Sequence, residues 1–225
     1  MPKRALLFIN GDLPNRDAAR RLIRDDDFII AVDGGTRHAL DLGLIPSVII
    51  GDLDSVNSTD LTGFKNLSGL KKPKIIQYPT DKDETDLELA LEYAIDAGYE
   101  EIRLIGALGG RLDQTLGNLS LLTDESHAGV DLRIDDGVEE AFFIRTQVET
   151  CTEPRRSIHA RIGEIVSLIP WGKPVTGIRT EGLRWQLSNE TLYPHKTRGI
   201  SNEAVSTRVK IHIESGLLLI VHKRI

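Results

Sequence analysis

At 225 residues, with 40% hydrophobic and 28% charged residues, the chain can build one large domain or two small ones around a proper core. The formal net charge of −6 and the lack of a long basic run argue against nucleic acid as a partner, because that binding rests on clustered Lys and Arg. One cysteine, Cys151, rules out an intramolecular disulfide or a cysteine-rich zinc site, and no apolar run nears the roughly 20 residues of a membrane span. The apolar run after Lys3-Arg4 is too short for a signal peptide. The expected compartment is the cytoplasm.

The first half alternates strand and helix signals. A buried strand is predicted at residues 5–9, ended by Asn10-Gly11, and a helix at 14–24. A strand at 28–32 leads into Asp33-Gly34-Gly35 and a short helix to Leu42. Strands at 48–50, ended by Gly51-Asp52, and at 74–77 follow. Leu87, Ala90, Leu91 and Ala94 then follow the i, i+3, i+4, i+7 pattern of an amphipathic helix, with Thr85 and Glu88 as a capping box and Gly98 past its end. A strand at 102–105 and a helix at 112–122 complete the series. Short continuous apolar strands alternating with helices predict an α/β fold: a parallel sheet with helices on both faces. Ligands of such sheets bind beyond the carboxyl ends of the strands.

After about residue 130 the helical period stops. Strands at 130–134 and 141–144 flank Asp136-Gly137. Farther on, Val209, Ile211 and Ile213 alternate with Lys210, His212 and Glu214. The turn Glu214-Ser215-Gly216 leads into an apolar run at 217–221, so a hairpin is predicted there. A smaller all-β domain is expected, with the division at 1–147 and 148–225.

Three acidic segments carry the chemistry: Gly51-Asp52-Leu53-Asp54-Ser55, Asp81-Lys82-Asp83-Glu84-Thr85-Asp86, and Gly109-Gly110-Arg111-Leu112-Asp113-Gln114. Each lies where a strand gives way to a loop or helix. Converging carboxylates repel unless a cation joins them, and oxygen-only ligands favour Mg²⁺ over zinc. Magnesium in turn suggests a phosphate-bearing substrate. Asp52 and Asp54, two apart, share one face of extended backbone. Alone they equally suit an Asp-rich turn, or the D-x-D site of a sugar-nucleotide transferase. Asp86 at a helix start suits the helix dipole, which also favours phosphate there. Lys82 is either a phosphate partner or a solvated loop lysine. The turn at 106–111 could cradle phosphates through its amides, or serve only tight packing; it is neither a P-loop nor a dinucleotide fingerprint. Trp185, among Arg184, Gln186 and Asn189, suits either a core or stacking on a flat cationic ring.

Together, Asp33-Gly34-Gly35, Gly51-Asp52-Leu53-Asp54-Ser55, Asp83-Glu84-Thr85-Asp86-Leu87, Gly109-Gly110-Arg111-Leu112-Asp113-Gln114 and Ser201-Asn202 resemble the thiamine pyrophosphokinase family in order and spacing. The resemblance implies a nucleotide-binding α/β domain followed by a β-sandwich-like domain, and a homodimer with active sites at the subunit interface. It implies Mg-dependent transfer of the β,γ-pyrophosphoryl group of ATP to the hydroxyl of thiamine, with release of AMP. Asp33, Asp52, Asp54, Asp86 and Asp113 would surround Mg²⁺ and the phosphates, with Asp52, Asp54 and Asp86 as metal ligands and catalytic residues. Asn10, Gly11, Asp33, Gly34, Lys82, Gly109, Gly110, Arg111, Asp113 and Gln114 would hold ATP. Trp185, Ser201 and Asn202, with Lys82, would hold thiamine. Asp54 or Asp86 would take the hydroxyl proton. A pterin-alcohol diphosphokinase and a non-catalytic thiamine or nucleotide sensor are the competing readings.

Overall fold

The computed structural model describes residues 3–53, 72–146 and 155–225, and the chain divides into two compact units, Met1–Gly137 and Val138–Ile225. In the first unit the apolar runs form β1 (Arg4–Phe8), β2 (Phe28–Val32), β3 (Val48–Gly51), β4 (Lys74–Gln77), β5 (Glu101–Ile105) and β6 (Asp131–Asp135). They lie in the order β6-β5-β1-β2-β3-β4, and every pairing is parallel. Four α-helices are described: α1 (Arg16–Arg20), α2 (Thr36–Asp41), α3 (Asp86–Asp96) and α4 (Leu112–Leu121).

β1, β2 and β3 lack alternation because both faces are covered, whereas β4 is largely exposed and β6 alternates. Leu6, Phe8, Ile29 and Ile105 share one core with Ala19, Ala39 and Leu42 from the α1 and α2 side. The intervening residues Leu7, Ile30, Ile50 and Leu104 are buried too, and α3 packs against β1, β2 and β3. The buried side of α3 is Leu87, Ala90, Leu91 and Ala94, as its spacing predicts, and the Thr85 hydroxyl accepts the Glu88 amide at 3.2 Å. The first helix is shorter than the expected 14–24. Asn15 caps it through the Ala18 amide at 3.0 Å, and past Arg21 the amides of Leu22 and Ile23 reach back only three residues, to the Ala19 and Arg20 carbonyls. There Arg4 takes the Leu22 carbonyl at 3.0 Å, and Asp27 accepts the Arg24 amide at 2.7 Å. Acidic residues 25–27 also oppose the dipole of a continuing helix.

β1 lies between β2 and β5, so the connections leaving β1 and β5 run to opposite sides of the sheet. Their loops flank a topological switch point, where parallel sheets open a crevice.

The second unit contains β7 (Glu139–Arg145), β8 (Arg155–His159), β9 (Ile165–Pro170), β10 (Val175–Glu181), β11 (Ser188–Leu192), β12 (Asn202–Glu203), β13 (Arg208–His212) and β14 (Leu217–Lys223). They run as two antiparallel layers, β12-β9-β14-β7 and β11-β10-β13-β8. One apolar core joins the layers, with Ile144, Leu168, Leu218 and Ile220 from one and Ile158, Ile178, Val209 and Ile211 from the other. This is a sandwich. The unit begins ahead of residue 148, because β7 pairs along its whole length with β14.

The expected hairpin at 209–221 does not form. β13 pairs with β8 and β10, whereas β14 pairs with β7 and β9. The turn at Glu214-Ser215-Gly216 carries the chain from one layer to the other. Val209, Ile211 and Ile213 thereby face Leu218 and Ile220 across the core instead of lying beside them. Burying each such side chain contributes about 1.5–3 kcal/mol, which outweighs the ladder of a two-stranded ribbon. Among the described residues no helix is long and apolar enough to cross a membrane.

Candidate active site

Three carboxylates meet beyond the carboxyl ends of the parallel strands. Asp33 follows β2, Asp52 follows β3, and Asp86 opens α3 after β4; each offers an oxygen within 4.8 Å of the others. Asp33 is half-buried and has φ 45, a left-handed conformation that a non-glycine residue adopts at a cost of about 1–3 kcal/mol. A short 3-10 turn, Asp33–Gly35, starts there and is braced by the Thr36 hydroxyl donating to the Asp33 carbonyl at 2.8 Å. Gly51 keeps room for this residue, since a Cβ at Gly51 would stand 3.0 Å from that of Asp33. The Lys82 ammonium lies 2.9 Å from Asp86 and also donates to the Pro79 carbonyl at 3.0 Å.

The switch-point loops interlock beside this cluster in the chain's order of strands. The Gly11 amide donates to the Gly106 carbonyl, and the Asp12 amide to that of Leu108, both at 2.8 Å. A side chain at Gly11 would strike both acceptors. The Asp12 carboxylate accepts the Gly110 amide at 2.9 Å, so that amide and the Gly11 amide are already engaged within the protein. His38 Nε2 lies 2.8 Å from the Gly11 carbonyl, and Asn118, buried on α4, donates to the Ala107 carbonyl at 2.8 Å. At the start of α4 Arg111 grips Asp113 through two contacts, 3.1 and 2.5 Å, with both side chains exposed. The guanidinium, together with the Gln114 amide, holds the Asp113 carboxyl below its usual range, and Asp113 in turn raises Arg111.

In the second unit Trp185 is 57% exposed, with the Arg184 guanidinium 5.3 Å from its ring. Asn202, 3% exposed, fixes the indole's backbone. Its Oδ1 accepts the amides of Trp185 at 3.0 Å and Glu203 at 2.9 Å, and its Nδ2 donates to the Trp185 carbonyl at 2.7 Å. A cavity of about 180 Å³ opens between Trp185, Leu187, Asn202 and the segment 197–200. Arg198 in that segment is tied to Glu190 by two contacts of 2.7 Å. Ser201 is exposed, with φ 57, and its amide donates to the Ser167 hydroxyl at 3.0 Å.

Comparison with known proteins separates the same two parts. The family model described as thiamin pyrophosphokinase, catalytic domain, matches residues 19–134, and that described as thiamin pyrophosphokinase, vitamin B1 binding domain, matches 155–218. The chain belongs to the thiamine pyrophosphokinase family. A thiamine pyrophosphokinase of Bacillus subtilis is 28% identical over 193 residues, 85% of each chain. Thiamine pyrophosphokinase 1 of Oryza sativa is 31% identical over 185 residues, 80% of this chain and 67% of the relative. The crystal structure of the Bacillus subtilis enzyme superposes with a TM-score of 0.85 at 24% identity, covering 99% of both chains, and that of yeast thiamin pyrophosphokinase with 0.76 at 18%, covering 99% and 86%.

Against the residues expected from this family, the structure brings Asp52 and Asp86 together and adds Asp33 as an equal third. Asp54 and Ser55 lie outside the described residues, as does Cys151. Asp113 is apart from the three, paired with Arg111. Trp185 and Asn202 share a cavity, but the Asn202 amide is occupied in holding Trp185. Sequence reasoning missed Asp12, His38 and Asn118, which brace the loops. A buried-type polar residue inside α4 was the available signal for Asn118; Asp12 and His38 needed the strand order.

Proposed function

We propose that this transferase carries the β,γ-pyrophosphoryl group of ATP to the hydroxyl of thiamine, with Mg²⁺ held by Asp33, Asp52 and Asp86. The observation that carries the reading is the convergence of three carboxylates within 4.8 Å at the strand ends. An all-oxygen acidic set fits a hard divalent cation, whose charge would offset the mutual repulsion. Bound there, Mg²⁺ would supply positive charge to the phosphate oxygens and the departing AMP. Asp54, two residues after Asp52 in the sequence, would complete the set.

The chain's own groups then position and shield. The α3 N-terminus and Lys82 present positive potential to the phosphates, and Asn10, Gly11, Gly109 and Gly110 on the switch-point loops, with Gly34 in the turn after β2, would hold ATP. Arg111 offers a planar donor once drawn from Asp113, with Gln114 beside it. As the hydroxyl of thiamine attacks the β-phosphorus, its proton would pass to an oxygen of Asp54 or Asp86 that the metal does not engage, and AMP would leave. Trp185 would stack on the cationic ring of thiamine, supported by the planar cation, Arg184, already near its face. Ser201 would edge that ring, and Asn202 would act from behind the indole. We read the enzyme as a cytoplasmic homodimer with active sites at the subunit interface; light scattering that found an active monomer would refute the dimer.

The decisive assay mixes the protein with ATP, Mg²⁺ and thiamine and measures AMP and thiamine diphosphate. Both should accumulate in equal amounts, and a pterin alcohol in place of thiamine should yield neither. Binding of both ligands without AMP would instead identify a sensor.

A further inference from the structure

Lys82 is badly placed for an ordinary surface ion pair. It lies in the loop ahead of α3, where the helix dipole disfavours a cation. Yet its side chain is only 12% exposed, and its ammonium is anchored at 2.9 Å on Asp86 and at 3.0 Å on the Pro79 carbonyl. An exposed pair is worth about 0–1 kcal/mol, too little to explain withdrawing so long a side chain from water. The position is explained by the three-carboxylate cluster to which Asp86 belongs.

We propose that the Lys82 ammonium acts as a resident counter-cation of the acidic cluster, which must leave Asp86 before a divalent cation can bind there. This rests on the reading that the cluster holds the metal. Ammonium and metal compete for one carboxylate, so metal alone binds weakly. A nucleotide changes the balance, because its phosphates offer the displaced ammonium an anionic partner within reach of a flexible four-carbon stem. Metal and nucleotide therefore assist each other's entry, and the assistance is reciprocal by linkage. Lys82 is thus a positioning residue that makes the cluster accept metal together with phosphate rather than bare metal.

The test is Mn²⁺ binding to the full chain by isothermal titration, with and without an ATP analogue whose α–β bridging oxygen is replaced by carbon. Wild type should bind Mn²⁺ weakly alone and much more tightly with the analogue. Lys82→Gln should tighten binding of Mn²⁺ alone, on the order of tenfold, and shrink the enhancement by the analogue; removing a nearby like charge has this sign. Lys82→Arg, which keeps the charge, should resemble wild type. Unchanged or weaker Mn²⁺ binding by Lys82→Gln, while wild type binds normally, would overturn the role of Lys82 and leave the metal site standing. No Mn²⁺ binding by wild type under either condition would remove the metal site and this proposal together.

Discussion

The first unit gathers like charge at its site, whereas the second satisfies the polar groups that carry its indole. At the ends of β2, β3 and α3 three carboxylates stand within 4.8 Å of one another, one of them on a left-handed backbone. Around Trp185, by contrast, a buried asparagine uses its donor and its acceptor in three hydrogen bonds, leaving an exposed indole on a rigid base. A site that binds through charge can be costly when empty, because its ligand supplies the compensation. A site that binds a flat ring through stacking must be built in advance, since the ring offers few directional bonds to organise it.

The sharpest test of this contrast is to remove charge from the cluster. Asp33→Asn should lower AMP formation by about 10²–10³, the loss seen for groups that act on transition-state charge. The metal-free protein should nonetheless gain about 1 kcal/mol in urea unfolding, since repulsion falls and Asn tolerates left-handed backbone. A loss of both activity and stability would break the contrast. Asp113→Asn, outside the cluster, should cost less than tenfold in rate.

The second unit should behave in the opposite way. Glu164 is buried there, with Oε2 2.9 Å from the Arg161 amide and 2.7 Å from His222 Nε2. Burial alone would raise its carboxyl, but the Arg161 amide and the His222 ring outweigh this and hold it below the usual 4.5. The unfolded chain therefore takes up the proton first. The resulting stability is full above pH 4.5 and is lost as pH falls through the lower folded value. Glu164→Gln should flatten that acid limb of Tm against pH, and Glu164→Ala should cost about 3 kcal/mol at pH 7 by stranding buried donors.

Asn202→Ala should raise the KM for thiamine about tenfold, change kcat less than threefold, and shift the emission of Trp185 in a Trp171→Phe background. A fall in kcat with KM unchanged would place Asn202 at the reacting atoms instead. The smallest effect belongs to the loop brace: Asn118→Ala should cost about 1 kcal/mol, read by thermal unfolding, with a modest rise in the KM for ATP.

Much of the first unit was legible because its signals are local. The capping box at Thr85 and the spacing of Leu87 to Ala94 determine α3 without help from the rest of the chain. β1, β2 and β3 were equally plain, being almost wholly apolar. Asp33 was placed near the phosphates but not among the metal ligands, because its partnership with Asp52 depends on β2 lying beside β3 and on φ 45, neither of which a single sequence displays. The 209–221 segment misled for a similar reason. An alternating run and an apolar run around a turn look the same whether the strands pair at their edges or oppose one another across a core. Asn202 was found as a site residue, yet its work behind Trp185 appears only when its three bonds are seen together.

The placing of β14 has a consequence for synthesis on the ribosome. The strands of the first unit end at Asp135, so its sheet can close while the rest of the chain is still being made. In the second unit β7 and β9 are translated long before the strand that lies between them, residues Leu217–Lys223. Until that strand leaves the exit tunnel, two edges with exposed ladder groups wait without a partner, a condition that favours chaperone contact and misassembly. The nascent chain thus acquires its carboxylate cluster early and closes its sandwich late.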